Sequence, residues 1–119
     1  MSTLSFRELV VWQKSMDLAR YVYTIGKLLP NEEKFGLAGQ MQRCAVSIPS
    51  NLAEGNKRGT RKEYAQFLRV AGGSAAELET KLLLARDMYA VNITKQLALL
   101  DEVQKMLESM KRKLLQPIT

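Results

Sequence analysis

Between Ser5 and Pro30, apolar side chains recur at three- and four-residue spacing in two adjacent rows. Leu9, Trp12, Met16, Ala19 and Tyr23 form one, and Val11, Leu18, Val22 and Ile25 form the other. That spacing stacks each row on one face of an α-helix, so the two rows together make about half the circumference apolar. Ser5 followed by Glu8 has the form of a capping box and predicts the start of the helix, which Leu29 and Pro30 end. A bundle of separate helices buries less than half of each one. The Leu9 row is therefore expected in the core, and Val11, Leu18, Val22 and Ile25 are expected to form an oligomer interface.

The next segment carries two different ladders. Leu37, Met41, Cys44, Ile48 and Leu52 make an apolar stripe, and Gln40, Arg43, Ser47, Asn51 and Glu54 make a polar one beside it. Asn31 is the expected N-cap, with Glu32 and Glu33 in the positive first turn, and Gly55 is expected to end the helix in a positive-φ conformation. Pro49 lies inside the pattern, where it removes a backbone hydrogen bond, but the stripes keep phase across it. A second helix kinked at Pro49, bent but not broken, is predicted. Arg43 is the one formal charge between Lys34 and Glu54. The polar stripe is therefore read as a structural network, with Arg43 paired to Glu54, Glu77 or another carboxylate, and with Gln40, Ser47, Asn51 and Ser74 completing the hydrogen bonds.

Thr60 with Glu63 is a second capping box, opening a helix whose core row is Tyr64, Phe67, Leu68, Ala71, Ala75, Leu78, Leu82 and Ala85. The small residues from Gly72 to Ala76 would let another helix approach closely. After a connection from Asp87 to Asn92, Ile93, Leu97, Leu100, Val103, Leu107, Met110 and Leu114 define a fourth helix, stopped by Pro117. Helices of about 20 to 25 residues joined by short connections force neighbours to run in opposite directions. The predicted fold is all-α: a single domain over residues 1–119, an antiparallel up-down-up-down four-helix bundle.

Composition narrows the chemistry. The chain has 119 residues, no histidine and one cysteine, which removes the usual neutral-pH base, the commonest metal ligand and any internal disulfide. Neither a Gly-x-x-x-x-Gly-Lys loop nor a Gly-x-Gly-x-x-Gly turn is present. No catalytic residue, metal or cofactor is expected, and Cys44 reads as a small buried hydrophobe. No stretch has the ~20 apolar residues needed to span a bilayer, and the first residues lack a signal-peptide pattern, so a cytoplasmic bacterial-type protein without membrane contact is expected.

Eighteen lysines and arginines against twelve carboxylates give +6 and a pI near 9.6, which favours an acidic partner. The excess is local, in Lys57, Arg58, Arg61 and Lys62 and again in Lys111, Arg112 and Lys113. These residues are the candidate contacts to DNA or RNA phosphates. The last three also suit a helix C-terminus. Without interleaved surface aromatics, contacts to the phosphate backbone are expected in place of base-selective ones. A protein-interaction module with an acidic protein partner is the alternative reading of the same charges.

Taken together, the run from Phe6 to Gln13, Leu29 with Pro30, Gln40 with Arg43, the run from Ser47 to Gly55, Phe67 with Leu68, Gly73 with Ser74 and Glu77 with Leu78 carry a family resemblance. Nearly the whole chain resembles the four-helix bundle proteins first noticed as reading frames within intervening sequences of bacterial large-subunit ribosomal RNA genes. That family includes accessory variability proteins of diversity-generating retroelements. The resemblance implies a ring-shaped homopentamer, a non-enzymatic accessory role, and basic surface that engages nucleic acid together with a reverse transcriptase or a ribosomal RNA-related partner.

Overall fold

The computed structural model describes residues 5–117, and four α-helices hold most of them: α1 (Val10–Leu28), α2 (Leu37–Lys57), α3 (Arg61–Tyr89) and α4 (Thr94–Leu115). Among the described residues there is no strand. Each helix packs on its sequence neighbour and α1 closes the ring onto α4, giving a rod of 53 × 19 × 19 Å. Cross-helix pairs fix the directions. Glu33, just before α2, meets Tyr89 at the end of α3, Ser47 meets Ser74 at mid-helix, and Gly55 near the end of α2 lies against Tyr64 near the start of α3. The order is likewise reversed between α1 and α4, where Lys14 pairs with Glu102 at 2.6 Å and Gln96 donates to the Tyr21 carbonyl at 3.0 Å.

The core is one column of aliphatic side chains, among them Leu18, Ile25, Met41, Ile48, Leu52, Leu68, Leu78, Leu82, Leu100 and Val103, all fully buried. The rows read in α3 and α4 point inward as their spacing demands, except that Phe67 stands half-buried outside the core and Leu97, Met110 and Leu114 lie at its edge. In α1 the assignment reverses. Val11, Leu18, Val22 and Ile25 lie in the chain's own core at 0–2 % exposure, so they cannot form an oligomer interface. Of the other row Ala19 is buried, whereas Trp12 and Met16 are half-exposed and Tyr23 is exposed. Ser15 sits fully buried within the inner row, and its hydroxyl is satisfied by the Val11 carbonyl one turn back, at 2.6 Å.

Local signals at the helix ends were partly misleading. Ser5 accepts from the Arg7 N–H and caps only a 3₁₀ turn (Phe6–Glu8), and α1 begins after Leu9 without a side-chain cap. Asn31 likewise opens a 3₁₀ turn (Asn31–Glu33) and does not cap α2, which starts at Leu37, where Glu33 reaches forward to accept the Leu37 N–H at 3.1 Å. Thr60 does cap α3 as its box predicts, taking the Glu63 N–H at 3.0 Å. α3 is longer than expected, at 29 residues, and ends with Ala90 in the left-handed region at φ 55°. α2 runs unbroken through Pro49 and past Gly55 to Lys57.

Gly55 is therefore not a terminator, and no glycine among the described residues has positive φ. It is buried, and a Cβ there would lie 2.9 Å from both Tyr64 Cδ1 and Phe67 Cβ. Glycine is needed at this position because α3 passes so close.

Candidate functional site

Three surfaces follow from this packing, and the first is a basic end. Because α2 and α4 finish where α3 begins, Lys57, Arg58, Arg61, Lys62, Lys111, Arg112 and Lys113 gather at one end of the rod, although Arg61 and Lys113 are 52 positions apart in sequence. Arg61 joins them. Its guanidinium donates to the Lys113 carbonyl at 2.7 Å and the Leu114 carbonyl at 3.2 Å, closing the C-terminus of α4 with a charge that suits the helix dipole. Arg58 is also committed, to Glu54 at 2.9 Å and against the Phe67 ring at 5.1 Å. Lys111 pairs with Glu108 at 3.2 Å, and Lys57 stands 6.0 Å from the Phe6 ring centroid. Lys62, Arg112 and Lys113 are exposed and make no ion pair with any described residue. The end therefore divides into Arg58 and Arg61, which bridge helices, Lys57, which meets only the Phe6 ring, Lys111, which pairs within its own helix, and cations with no partner among the described residues.

The second surface is an apolar groove of about 530 Å³ between α1 and α2, lined by Phe6, Trp12, Met16, Tyr23, Val46, Pro49 and Ala53 among others. Phe6 and Trp12 meet edge to face at 5.3 Å. Farther along the same face stand Val46, 42 % exposed, and Phe35, 85 % exposed on the short connection before α2. The sequence pattern contained this second apolar face of α1 but pointed to the wrong row for it.

The polar stripe of α2 forms the third surface. Ser47 and Ser74 share a hydrogen bond at 2.7 Å across α2 and α3, and Asn51 donates to the Ser47 carbonyl and hydroxyl at 2.8 and 3.0 Å. The expected ionic part is absent. Arg43 is exposed with no ion pair or hydrogen bond among the described residues, Glu54 serves Arg58, and Glu77 lies 3.7 Å from Lys81. Gln40, Arg43, Cys44, Ser47, Ser74, Glu77 and Lys81 line one shallow depression. Burial pushes the Cys44 thiol up, which lowers its thiolate fraction and its reactivity. Among the described residues no group of three or more cysteine and carboxylate side chains could hold a metal ion. No described helix is long and apolar enough to cross a membrane.

At the opposite end of the rod the Tyr89 hydroxyl donates to Glu33 Oε2 at 2.5 Å. That bond and the Leu37 N–H hold the Glu33 carboxyl below the usual carboxylate range, and the same carboxylate pushes Tyr89 up.

Comparison with known proteins agrees with this architecture. A family model described as 23S rRNA-intervening sequence protein matches residues 7–111. Among solved structures, a protein of unknown function from the S23 ribosomal protein family of Bacteroides thetaiotaomicron superposes with a TM-score of 0.76 at 26% identity, covering 92% of this chain and 99% of that one. No curated protein matches the chain.

Proposed function

The chain belongs to the 23S rRNA-intervening sequence protein family, and from that premise we propose that it is a non-enzymatic accessory protein that self-associates and binds nucleic acid through the basic end of its bundle. The observation that carries this reading is the convergence of two sequence-distant cation clusters on one end, with Lys62, Arg112 and Lys113 left unpaired among the described residues. Neither the family nor the neighbouring structure points to a reaction. Counterion release from phosphates supplies affinity to such a surface without base recognition.

The apolar groove supports self-association. A second copy is the occupant that brings a complementary knob, since Phe35 stands almost fully exposed beside a groove rich in aromatic and aliphatic walls. A heterologous contact of that kind closes into a ring when the rotation permits, and a ring would repeat the basic end in one array. The pentamer implied by the family resemblance is the assembly we favour.

Binding of the unmodified protein to unrelated DNA and RNA sequences, followed by anisotropy across a salt series, tests the proposal. Affinity should fall linearly with log salt, and replacing Lys62, Arg112 and Lys113 together by glutamine should lower the slope by about one per lost contact per protomer. Absence of binding at low salt would reject the nucleic-acid reading and leave an acidic protein partner as the ligand of these charges.

A further inference from the structure

Gly72 and Gly73 stand in the middle of α3, where consecutive glycines weaken a helix more than any residue except proline. Intrachain packing does not require them. A Cβ built at either position meets nothing within 4 Å, so they are not the close helix contact that the small residues suggested. They instead form the floor of a groove of about 330 Å³ between α3 and α4, with Arg69, Gln104, Glu108 and Lys111 on its walls. Leu68 and Leu107 beneath are buried at 2–3 % exposure, so the groove offers little apolar surface to a partner helix.

Its charge and direction favour a polyanion. Arg69 on the α3 wall is exposed and bonded only to the neutral Gln66 amide at 3.3 Å, and Lys111 on the α4 wall is paired along its own helix with the exposed Glu108 at 3.2 Å, a surface pair that a phosphate can displace. One turn beyond Lys111 lie Lys113 and Leu114, whose carbonyls hold Arg61, so the groove opens directly onto the basic end. Bare backbone at the floor permits an approach that side chains would block, and cations on both walls suit a phosphate chain.

We propose that the α3–α4 groove seats the sugar–phosphate backbone of the bound nucleic acid, with Gly72 and Gly73 giving close approach and Arg69 and Lys111 contacting phosphates. The inference rests on the nucleic-acid reading above and extends its path along the rod. Its signature is opposite movement of stability and binding. Gly72→Ala with Gly73→Ala should raise the melting temperature, because the methyl groups enter open space, yet lower affinity for a labelled RNA or DNA strand by about tenfold or more. Arg69→Gln should reduce the salt slope by about one per protomer. A melting temperature that rises with affinity and slope unchanged overturns the groove, while the Lys62, Arg112 and Lys113 variant independently reports on the basic end. A lowered melting temperature in the double alanine variant would also overturn it, by showing that the glycines are packed. Loss of all binding by the unmodified protein would remove both readings together.

Discussion

The α1–α2 side and the α3–α4 side of this bundle are built on the same heptad-like spacing, yet they present opposite surfaces. On the first, Trp12, Met16, Tyr23, Val46 and Pro49 leave an apolar trough; on the second, Arg69, Gln104, Glu108 and Lys111 stand over bare glycine backbone. The difference comes from how much of each helix the core consumes. α1 has apolar residues around half its girth and fully buries one row with Ala19 of the other, which leaves Trp12 and Met16 half-exposed and Tyr23 exposed. α3 and α4 also leave Val70, Leu84, Met88 and Leu115 exposed, but these stand apart from the α3–α4 groove, whose walls carry charge. The contrast extends to the glycines: Gly55 is held by contact with α3, whereas a Cβ at Gly72 or Gly73 would meet nothing within 4 Å.

The sharpest way to break the contrast is a charge in the apolar trough. Val46→Glu should leave helicity unchanged but weaken self-association by ~3 kcal/mol or more, over a hundredfold, because an unpaired carboxylate would be buried on assembly; sedimentation velocity reads it. Gly55→Ala should destabilise the fold by ~1–3 kcal/mol, since Phe67 Cβ is fixed to its backbone and cannot yield cheaply. Denaturant melts that show no loss there would erase the distinction between the two glycine sites. Arg61→Ala should cost about 1 kcal/mol by uncapping α4, so it is a poor probe of binding alone. Ala90→Gly should stabilise by up to ~1 kcal/mol, relieving the left-handed residue after α3.

The smallest effect belongs to the Glu33–Tyr89 contact. A carboxyl lowered in the folded state stabilises above its unfolded pKa and loses that contribution as pH falls through its folded value. A raised phenol stabilises below its unfolded pKa and loses its contribution as pH rises through the folded one. Tyr89→Phe should therefore flatten both the acid and the alkaline flanks of the stability profile, and a profile parallel to that of the unmodified protein would refute the coupling.

Much of the fold was legible because the strongest signals were periodic. The core rows of α3 and α4, the Thr60 cap and the continuity of α2 across Pro49 all follow from spacing and local chemistry. The α1 rows were equally apolar, so spacing could not say which faced inward. That was decided by packing against α2 and α4, which buried the row containing Ser15 and left the bulkier Trp12 and Tyr23 at the rim. Gly55 looked like a helix terminator by a local rule, but its reason is tertiary. The scarcity of charge around Arg43 in sequence predicts a carboxylate partner, yet Arg43 faces solvent. At the basic end the residues were visible in sequence, whereas the structural duties of Arg58 and Arg61 were not, since their partners depend on how α2, α3 and α4 meet.

In the proposed reading, assembly and nucleic-acid contact use separate sides of the molecule. The direct measurement is a salt series of RNA binding by the Val46→Glu variant, read by sedimentation of labelled RNA with the protein. The variant should sediment as a monomer and still carry RNA at low salt, with weaker avidity and an unchanged slope per bound protomer. A variant that remains assembled, or a monomer that no longer binds RNA even at low salt, would contradict that reading.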